Sequence, residues 1–283
     1  MTDFLPAWSE PFYSEPPDLG APAGLGLAID REWAYGDGSG RGVRVAIVDS
    51  GIDADHPDVG GVQQAVDVLR DPEGEEAIFV DGPHDDLYGH GTACAGIIRA
   101  LAPEVELISV RVLGSNLKGS AFNFSYGLEW CLDHRVDVVN LSLSTGNDDY
   151  ADVFWELLDR ATFEGVMLVS ALNNEPKRSI PSEFAGVFSV ACAPVADREH
   201  FQFNRSAPAE WGALGMDVDV AWGDGQTINA SGNSFAAPVI AGHIARIVGA
   251  HAGITPWQVR TVLAELAAIS RWHSPGAGAR LAP

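Results

Sequence analysis

The chain of 283 residues is long enough for one large α/β domain with a substantial hydrophobic core. Hydrophobic residues make up 46% of the sequence, and no uninterrupted apolar run approaches the roughly 20 residues of a membrane-spanning helix. Acidic residues outnumber basic residues by 39 to 17, which gives a formal net charge of −22. Because phosphate binding requires a basic surface, neither nucleic acid nor a membrane is an expected partner.

The N-terminal region predicts no regular structure. Residues 1–25 contain five prolines, which favour an extended arm. This region is acidic and has no basic start followed by an apolar stretch, so it does not read as a secretory signal. We therefore expect a cytoplasmic protein, or one whose export sequence has already been removed. The cysteines Cys94, Cys131 and Cys192 stand in apolar sequence and are expected to be buried free thiols, which fits a reducing compartment.

Beyond a short helix in LAIDREWAYG, short β-branched runs alternate with helical patterns along the chain. Strands are predicted at 43–48, 106–112, 136–141, 166–171 and 187–193, and helices near 90–100, 121–133 and 151–163. Strands that are almost continuously apolar and separated by helices are typical of a parallel sheet covered on both faces. The prediction is a three-layer α/β domain over residues 26–272 with a mostly parallel central sheet. A flexible tail is expected over 273–283.

Polar residues follow several of the predicted strands, where α/β sheets gather their functional groups. Asp49 ends the first strand, in VRVAIVDSGIDADHPDV, and His90 lies between glycines in GHGTACAG. Asn173 and Asn174 end a buried strand in VMLVSALNNEP. Ser234 stands among small residues in SGNSFAAPVIAG, just before an apolar stretch. Each motif alone also has an ordinary structural explanation as a turn, a cap or a helix start.

Together the motifs supply the roles that acyl transfer requires. A serine hydroxyl is a weak nucleophile, so a histidine must take its proton and a carboxylate must orient that histidine. Fixed hydrogen-bond donors must also stabilise the oxyanion that forms. Asp49, His90 and Ser234 can fill the first three roles, and an amide such as Asn174 can be a donor. The eight histidines show no HExxH spacing, which disfavours metal-dependent hydrolysis.

The motifs resemble those of the subtilisin-like serine peptidases, the subtilases, over about residues 26–265. The resemblance implies that Asp49 orients His90, that His90 acts as general base and then as general acid, and that Ser234 attacks the substrate carbonyl. It also implies two oxyanion donors, the side-chain amide of Asn174 and the backbone N–H of Ser234.

The resemblance further implies where a peptide substrate would lie. Residues 140–146 are similar to the segment that lines the S1 pocket and pairs with the substrate backbone, and a second segment forms the opposite edge. The implied substrate-binding residues are Leu117, Lys118 and Gly119 on one edge and Ser142, Leu143 and Ser144 on the other, with Glu175 at the rim of the pocket.

Two features depart from the family's pattern. Asn233 and Phe235 flank the nucleophile, where the family usually has Thr and Met. The calcium-binding loop that commonly follows the histidine helix is missing, and Asp58 matches one calcium-ligand position without its partners. Calcium takes six to eight oxygen ligands, so we expect no calcium at Asp58 and no other cofactor.

Substrate specificity cannot be carried over, because the segment after Asn174 is short for the family. Glu175, Asp85 and Asp86 make one side of the expected cleft acidic, which favours Arg or Lys in the substrate. A solvated acidic surface explains the same charges.

We interpret the chain as a serine endopeptidase that works through an acyl-enzyme and matures a specific peptide or protein precursor. One alternative is a peptide ligase or cyclase, which uses the same acyl-enzyme but must exclude water. Another is a catalytically silent member that binds peptides on the same strand edges. A further hypothesis is that the arm over residues 1–25 covers the cleft as an inhibitory flap.

Overall fold

The structure is a computed structural model that describes residues 5–9, 29–74, 76–205 and 208–270. The predicted arm over 1–25, apart from residues 5–9, and the predicted tail over 273–283 lie outside this part of the chain. The strands are β1 (Arg44–Asp49), β2 (Gln64–Arg70), β3 (Ala77–Asp81), β4 (Glu106–Arg111), β5 (Val138–Leu141), β6 (Met167–Ala171), β7 (Phe188–Cys192), β8 (Phe201–Asn204), β9 (Trp211–Ala213), β10 (Val218–Trp222), β11 (Gln226–Ala230) and β12 (Ala268–Ser270). The helices are α1 (Arg31–Tyr35), α2 (His90–Leu101), α3 (Ala121–Asp133), α4 (Ala151–Glu164), α5 (Asn233–Ala250) and α6 (Pro256–Leu266), with a 3-10 turn at Asp148–Tyr150.

Ten strands form one sheet in the order β12-β8-β9-β7-β6-β5-β1-β4-β2-β3, and β10 pairs with β11 in a separate hairpin. Every neighbouring pair in the large sheet is parallel except β2 with β3 and β8 with β9. The central strands β5, β6 and β7 are buried along their whole length, as expected for parallel strands with both faces covered. The three-layer α/β prediction is confirmed.

A hydrophobic layer covers each face of the sheet. Alternate residues of β1 point to opposite faces, so Val45 and Ile47 belong to one layer and Ala46 and Val48 to the other. The first layer contains α2, α5 and α6, and the second contains α3 and α4. Helix α5 is buried on nearly all sides, which places it at the centre of its layer. No helix in the described ranges is long and apolar enough to cross a membrane.

The predicted strands and helices of the central α/β units match β1, β4 to β7 and α2 to α4 within two residues at each end. The sequence analysis did not predict β2, β3 or the strands from β8 onward. Strands β8 and β9 are four and three residues long, too short for a sequence pattern to be visible. They are extended because they pair with each other and with β7.

Helix α4 offers a matched test of the core, because two of its phenylalanines lie in opposite environments. Phe154 is 0% exposed and its ring centroid lies 4.6 Å from that of Phe124, whereas Phe163 is 89% exposed. We expect Phe154→Ala to lower the free energy of unfolding by about 3–5 kcal/mol, since it leaves a cavity. Phe163→Ala should change it by no more than about 0.5 kcal/mol. Urea denaturation of both variants checks this, and equal losses would contradict the placement of α4.

Candidate active site

The predicted site residues converge on the carboxyl edge of the sheet. Asp49 is the last residue of β1, which lies between β4 and β5. The segment 142–144 directly follows β5, and the segment 117–119 follows β4. Asn174 is the third residue after β6, the next strand along the sheet. Parallel pairing therefore brings four separate parts of the sequence to one edge.

Asp49 and His90 are in direct contact. His90 Nδ1 lies 2.9 Å from both carboxylate oxygens of Asp49, and both side chains are buried. The N–H of Ser50 also donates to Asp49 Oδ1, at 2.8 Å. Residue 91 must be glycine for this contact to form, because a Cβ on Gly91 would lie 2.0 Å from the carbonyl oxygen of Gly51. The close approach of α2 to the loop after β1 thus delivers His90 to Asp49.

The surroundings of His90 favour its protonated form. Burial alone lowers the pKa of the imidazole, but the charge and hydrogen bond of Asp49, together with the charge of Asp86, outweigh burial and raise the pKa above its ordinary value. Because Nδ1 faces the carboxylate, Nε2 is the ring nitrogen left to exchange a proton with another group. His90 therefore has the orientation and the proton affinity of a general base.

Asp86 fixes the loop that precedes His90. Its two oxygens accept five hydrogen bonds, from the N–H groups of Tyr88, Gly89 and Thr92 and from the hydroxyls of Ser50 and Thr92, at 2.6–3.0 Å. The sequence analysis had assigned Asp86 to an acidic side of the cleft. Its oxygens hold this loop in place, so Asp86 also has a positioning role, and the acidic side of the cleft stays a prediction. An Asp four residues before the histidine that begins a helix is the signal that could have indicated this role.

Ser234 lies in the first turn of α5 and is half-buried. In a regular helix its carbonyl oxygen would accept from the N–H of residue 238, but Pro238 has none. Ser142 Oγ donates to this oxygen instead, at 2.8 Å, and Cys94 Sγ lies 3.7 Å from it. Because of the proline, the carbonyl of Ser234 can accept this hydrogen bond from the segment that follows β5.

Helix α5 also brings Ser234 beside the histidine and the amide. The ring of Phe235 lies against that of His90, with the centroids 5.4 Å apart. A Cβ built on Gly232 would lie 3.4 Å from Ser234 Oγ and 3.3 Å from Asn174 Nδ2, so the hydroxyl and the amide nitrogen flank the same point.

Two hydrogen-bond donors meet near this point. Asn174 Oδ1 accepts from the N–H of Asn233 at 2.9 Å, so Nδ2 is the end of the amide that faces away from this bond. Within the described ranges Nδ2 has no hydrogen-bond partner. The N–H of Ser234 belongs to the first turn of a helix, where N–H groups lack an intrahelical acceptor. The pair is suited to bind an oxyanion.

Cys94 completes the buried polar cluster without adding a reactive thiolate. Ligand atoms of Asp49, His90 and Cys94 lie within 4.8 Å of one another, which in other surroundings could hold a metal ion. Burial and the charge of Asp49 raise the pKa of Cys94 well above its ordinary value. The thiol therefore keeps its proton, which it can donate to Ser142 Oγ at 3.3 Å.

The predicted substrate segments are partly occupied by contacts within the protein. The hydroxyl of Ser142 points inward to Ser234, and Leu143 and Ser144 are half-buried. On the opposite edge, the N–H of Lys118 donates to Asn116 Oδ1 and its carbonyl accepts from the N–H of Gly114, so Lys118 belongs to a turn.

The other predicted substrate-binding residues differ in their exposure and contacts. Leu117 has a positive φ of 56° and packs against the core. Gly119 is exposed, and a Cβ at this position would lie 2.5 Å from the carbonyl oxygen of Val112. Glu175 is exposed and forms an ion pair with Lys177, which offsets part of the acidic character expected for the pocket rim.

Asp58 does not stand in a calcium-like environment. It lines one cleft with Arg198 and Asp219. Burial lowers the pKa of the Arg198 guanidinium, and the charges of Asp58 and Asp219 act in the opposite direction. The guanidinium of Arg198 therefore offsets the charge of Asp58. A cleft that already contains this positive side chain does not fit calcium.

Comparison with known proteins decides the family. The family model described as "Subtilase family" matches residues 40–278 of the chain. The chain belongs to this family. Among its relatives, a thermostable alkaline protease of Halalkalibacterium halodurans is 31% identical over 233 residues, covering 78% of this chain and 61% of that protein. A subtilisin-like protease of Coccidioides posadasii is 31% identical over 265 residues, covering 89% of this chain and 64% of that protein.

The chain therefore spans less than two thirds of the length of these two relatives. In structure it is similar to a cold-adapted subtilisin-like serine proteinase, with a TM-score of 0.62 and 24% sequence identity over 80% of this chain and 82% of the other. This likeness shows the subtilisin-like fold.

The contribution of Asp86 to the histidine can be tested by the pH dependence of catalysis. A general base must be neutral, so kcat/KM falls as the pH drops through the pKa of His90. Asp86→Asn removes a charge that raises this pKa, so the acidic limb of the profile should move to lower pH. Asp85→Asn removes the same charge from an exposed neighbour and is the matched control. An unmoved limb in Asp86→Asn, or equal movement in both variants, would contradict the assignment.

Removal of divalent cations tests the environment of Asp58. Because Arg198 shares its cleft, we expect incubation with EDTA to leave both peptidase activity and the melting temperature unchanged. Differential scanning calorimetry with EDTA and with excess calcium provides the comparison. A fall in melting temperature with EDTA that calcium restores would show that calcium is bound after all.

Proposed function

We propose that this subtilase is a serine endopeptidase that hydrolyses peptide bonds through an acyl-enzyme. The observation that carries the proposal is the buried contact between His90 Nδ1 and the Asp49 carboxylate, at the same edge of the sheet as Ser234. The names of the relatives, which are proteases of the same family, support it.

In the proposed reaction, His90 Nε2 takes the proton of Ser234 Oγ as this oxygen attacks the substrate carbonyl. Asp49 holds the ring orientation and stabilises the imidazolium that forms. Asn174 Nδ2 and the N–H of Ser234 donate to the oxyanion. His90 then passes its proton to the leaving amine, which breaks the peptide bond and leaves an ester on Ser234. Water, deprotonated by His90, hydrolyses this ester and regenerates the hydroxyl.

We propose that the substrate is a peptide or protein chain bound as an added strand between the segments 142–144 and 117–119. Backbone groups of Lys118 are already used in a turn, so on that edge we assign the pairing to Gly119. Glu175 remains a pocket-rim residue in this proposal.

Maturation of a specific precursor in the cytoplasm stays a prediction. The cytoplasmic location is supported by the three cysteines, all of which are free and buried, as a reducing compartment allows.

A fluorophosphonate probe tests the assembled site. We expect it to label the wild-type protein at Ser234, because phosphonylation requires an activated serine, and to leave Ser234→Ala unlabelled. Ser231→Ala, which removes an exposed hydroxyl three residues away, is the matched control and should label like the wild type. Peptide mapping by mass spectrometry identifies the modified residue.

The products formed from a peptide mixture distinguish hydrolysis from ligation or cyclisation. Hydrolysis gives two fragments, whereas a ligase or cyclase joins an acyl fragment to an amine. Folded wild-type protein that neither labels nor cleaves peptides would overturn the proposal, and peptide binding by that protein would favour the silent member.

A further inference from the structure

Residues 5–9 dock beside the oxyanion amide. Pro6 and Ser9 are buried, and the N–H of Ser9 closes a turn onto the carbonyl oxygen of Pro6, at 3.2 Å. Trp8 has a positive φ of 71° and packs on a small apolar cluster. The cluster consists of Leu172, Ala191, Ala193 and Ala209. This short segment, which we call the N-terminal clip, is therefore held by both packing and hydrogen bonds.

The clip contacts Asn174 directly. The N–H of Ala7 donates to the backbone oxygen of Asn174 at 2.7 Å. The carbonyl oxygen of Ala7 in turn accepts from Asn233 Nδ2 at 3.0 Å. Ala7 thus bonds through both of its backbone groups to the two asparagines that stand next to the nucleophile.

Asn233 joins the clip to the sheet. Its side chain is fully buried, and Nδ2 also donates to the backbone oxygens of Leu172 and Asn173 at 3.1 and 3.4 Å. Its Oδ1 accepts from the N–H of Cys192 at 2.9 Å and from the hydroxyl of Ser9 at 3.2 Å. One buried amide therefore ties together the ends of β6 and β7 and the clip.

Asn174 needs this support because it is exposed and lies outside any strand. Its side chain is held by the N–H of Asn233 and its backbone by the N–H of Ala7. An oxyanion donor is effective only if it is already aimed before charge develops, since small displacements weaken it. Asn233 bonds to Oδ1 and the clip bonds to the backbone oxygen, and neither contact occupies Nδ2.

We propose that the clip, through Ala7, and Asn233 are positioning residues that hold the Asn174 amide in its oxyanion-binding orientation. This inference rests on the proposed peptidase function. It also gives residues 5–9 the opposite effect from an inhibitory flap, because the clip leaves Asn174 Nδ2 unpaired among the described residues. Loss of the clip contact should therefore lower turnover rather than raise it.

A double-mutant cycle tests the proposal. Ala7→Pro removes the N–H that bonds to Asn174, and Ala7→Gly keeps it and is the matched control. We expect Ala7→Pro to lower kcat about tenfold, which is the scale of one net hydrogen bond, with KM within about twofold of the wild type. Asn174→Ala should lower kcat by about 10²–10³, since it removes one oxyanion donor. Rates are normalised to the active sites titrated with the fluorophosphonate probe.

The decisive comparison is Ala7→Pro in the Asn174→Ala background. If Ala7 acts through the Asn174 amide, the double variant has the same kcat as Asn174→Ala, because there is no amide left to position. A general structural effect would lower kcat about tenfold in both backgrounds and would overturn the proposal. An unchanged or increased kcat in Ala7→Pro alone would also overturn it, and an increase would favour the inhibitory flap.

A second variant guards against misfolding. If Ala7→Pro does not reach the wild-type melting temperature, the cycle is repeated with Trp8→Gly. This change removes the indole that packs the clip on its apolar cluster and suits the positive φ of residue 8, and it keeps the buried hydrogen bonds of Asn233 to the ends of β6 and β7. The same coupling with Asn174→Ala is expected. Failure of the proposed function is recognised separately, because wild-type protein would then neither label at Ser234 nor cleave peptide.

Discussion

A fully buried carboxylate at the carboxyl end of β1 is the constraint on which the site depends. An unpaired charge at the end of β1 would be strongly destabilising, so Asp49 must be hydrogen-bonded in the folded protein. The N–H of Ser50 and the imidazole of His90 meet this need. The histidine can do so only because α2 approaches the loop after β1 at a glycine. The same contact therefore satisfies a requirement of folding and fixes the ring orientation that the proposed base needs.

Ser234, the proposed nucleophile, is held by a second constraint, the missing N–H of Pro238. In most helices a proline at this depth leaves a carbonyl without its helical partner. Here that carbonyl belongs to Ser234, and the hydroxyl of Ser142 donates a hydrogen bond to it. The hydrogen bond that replaces the missing helical one thus joins α5 to the segment that follows β5.

Sequence reasoning was most successful where the pattern is local. The run before Asp49 predicts β1 and its end, because continuous β-branched residues followed by a glycine form a buried strand and a sharp exit. The five hydrogen bonds of Asp86 could not be predicted, since they depend on how a loop closes around one carboxylate. Strand β9 could not be predicted, because three residues are too few to show the alternating pattern of a strand. The environment of Asn233 was equally inaccessible, because its partners come from residues 7–9 and from the ends of β6 and β7.

The contact between Asn233 and Ala7 can form only late in folding. The two residues are 226 positions apart in sequence, and they meet beside the nucleophile. Bringing such distant segments together carries a loop-closure cost that only the nearly complete fold can offset. A chain still emerging from the ribosome has β1 and α2 long before it has α5. Synthesis from the N-terminus therefore lets Asn233 reach Ala7 only after all the strands from β1 to β11 have been made.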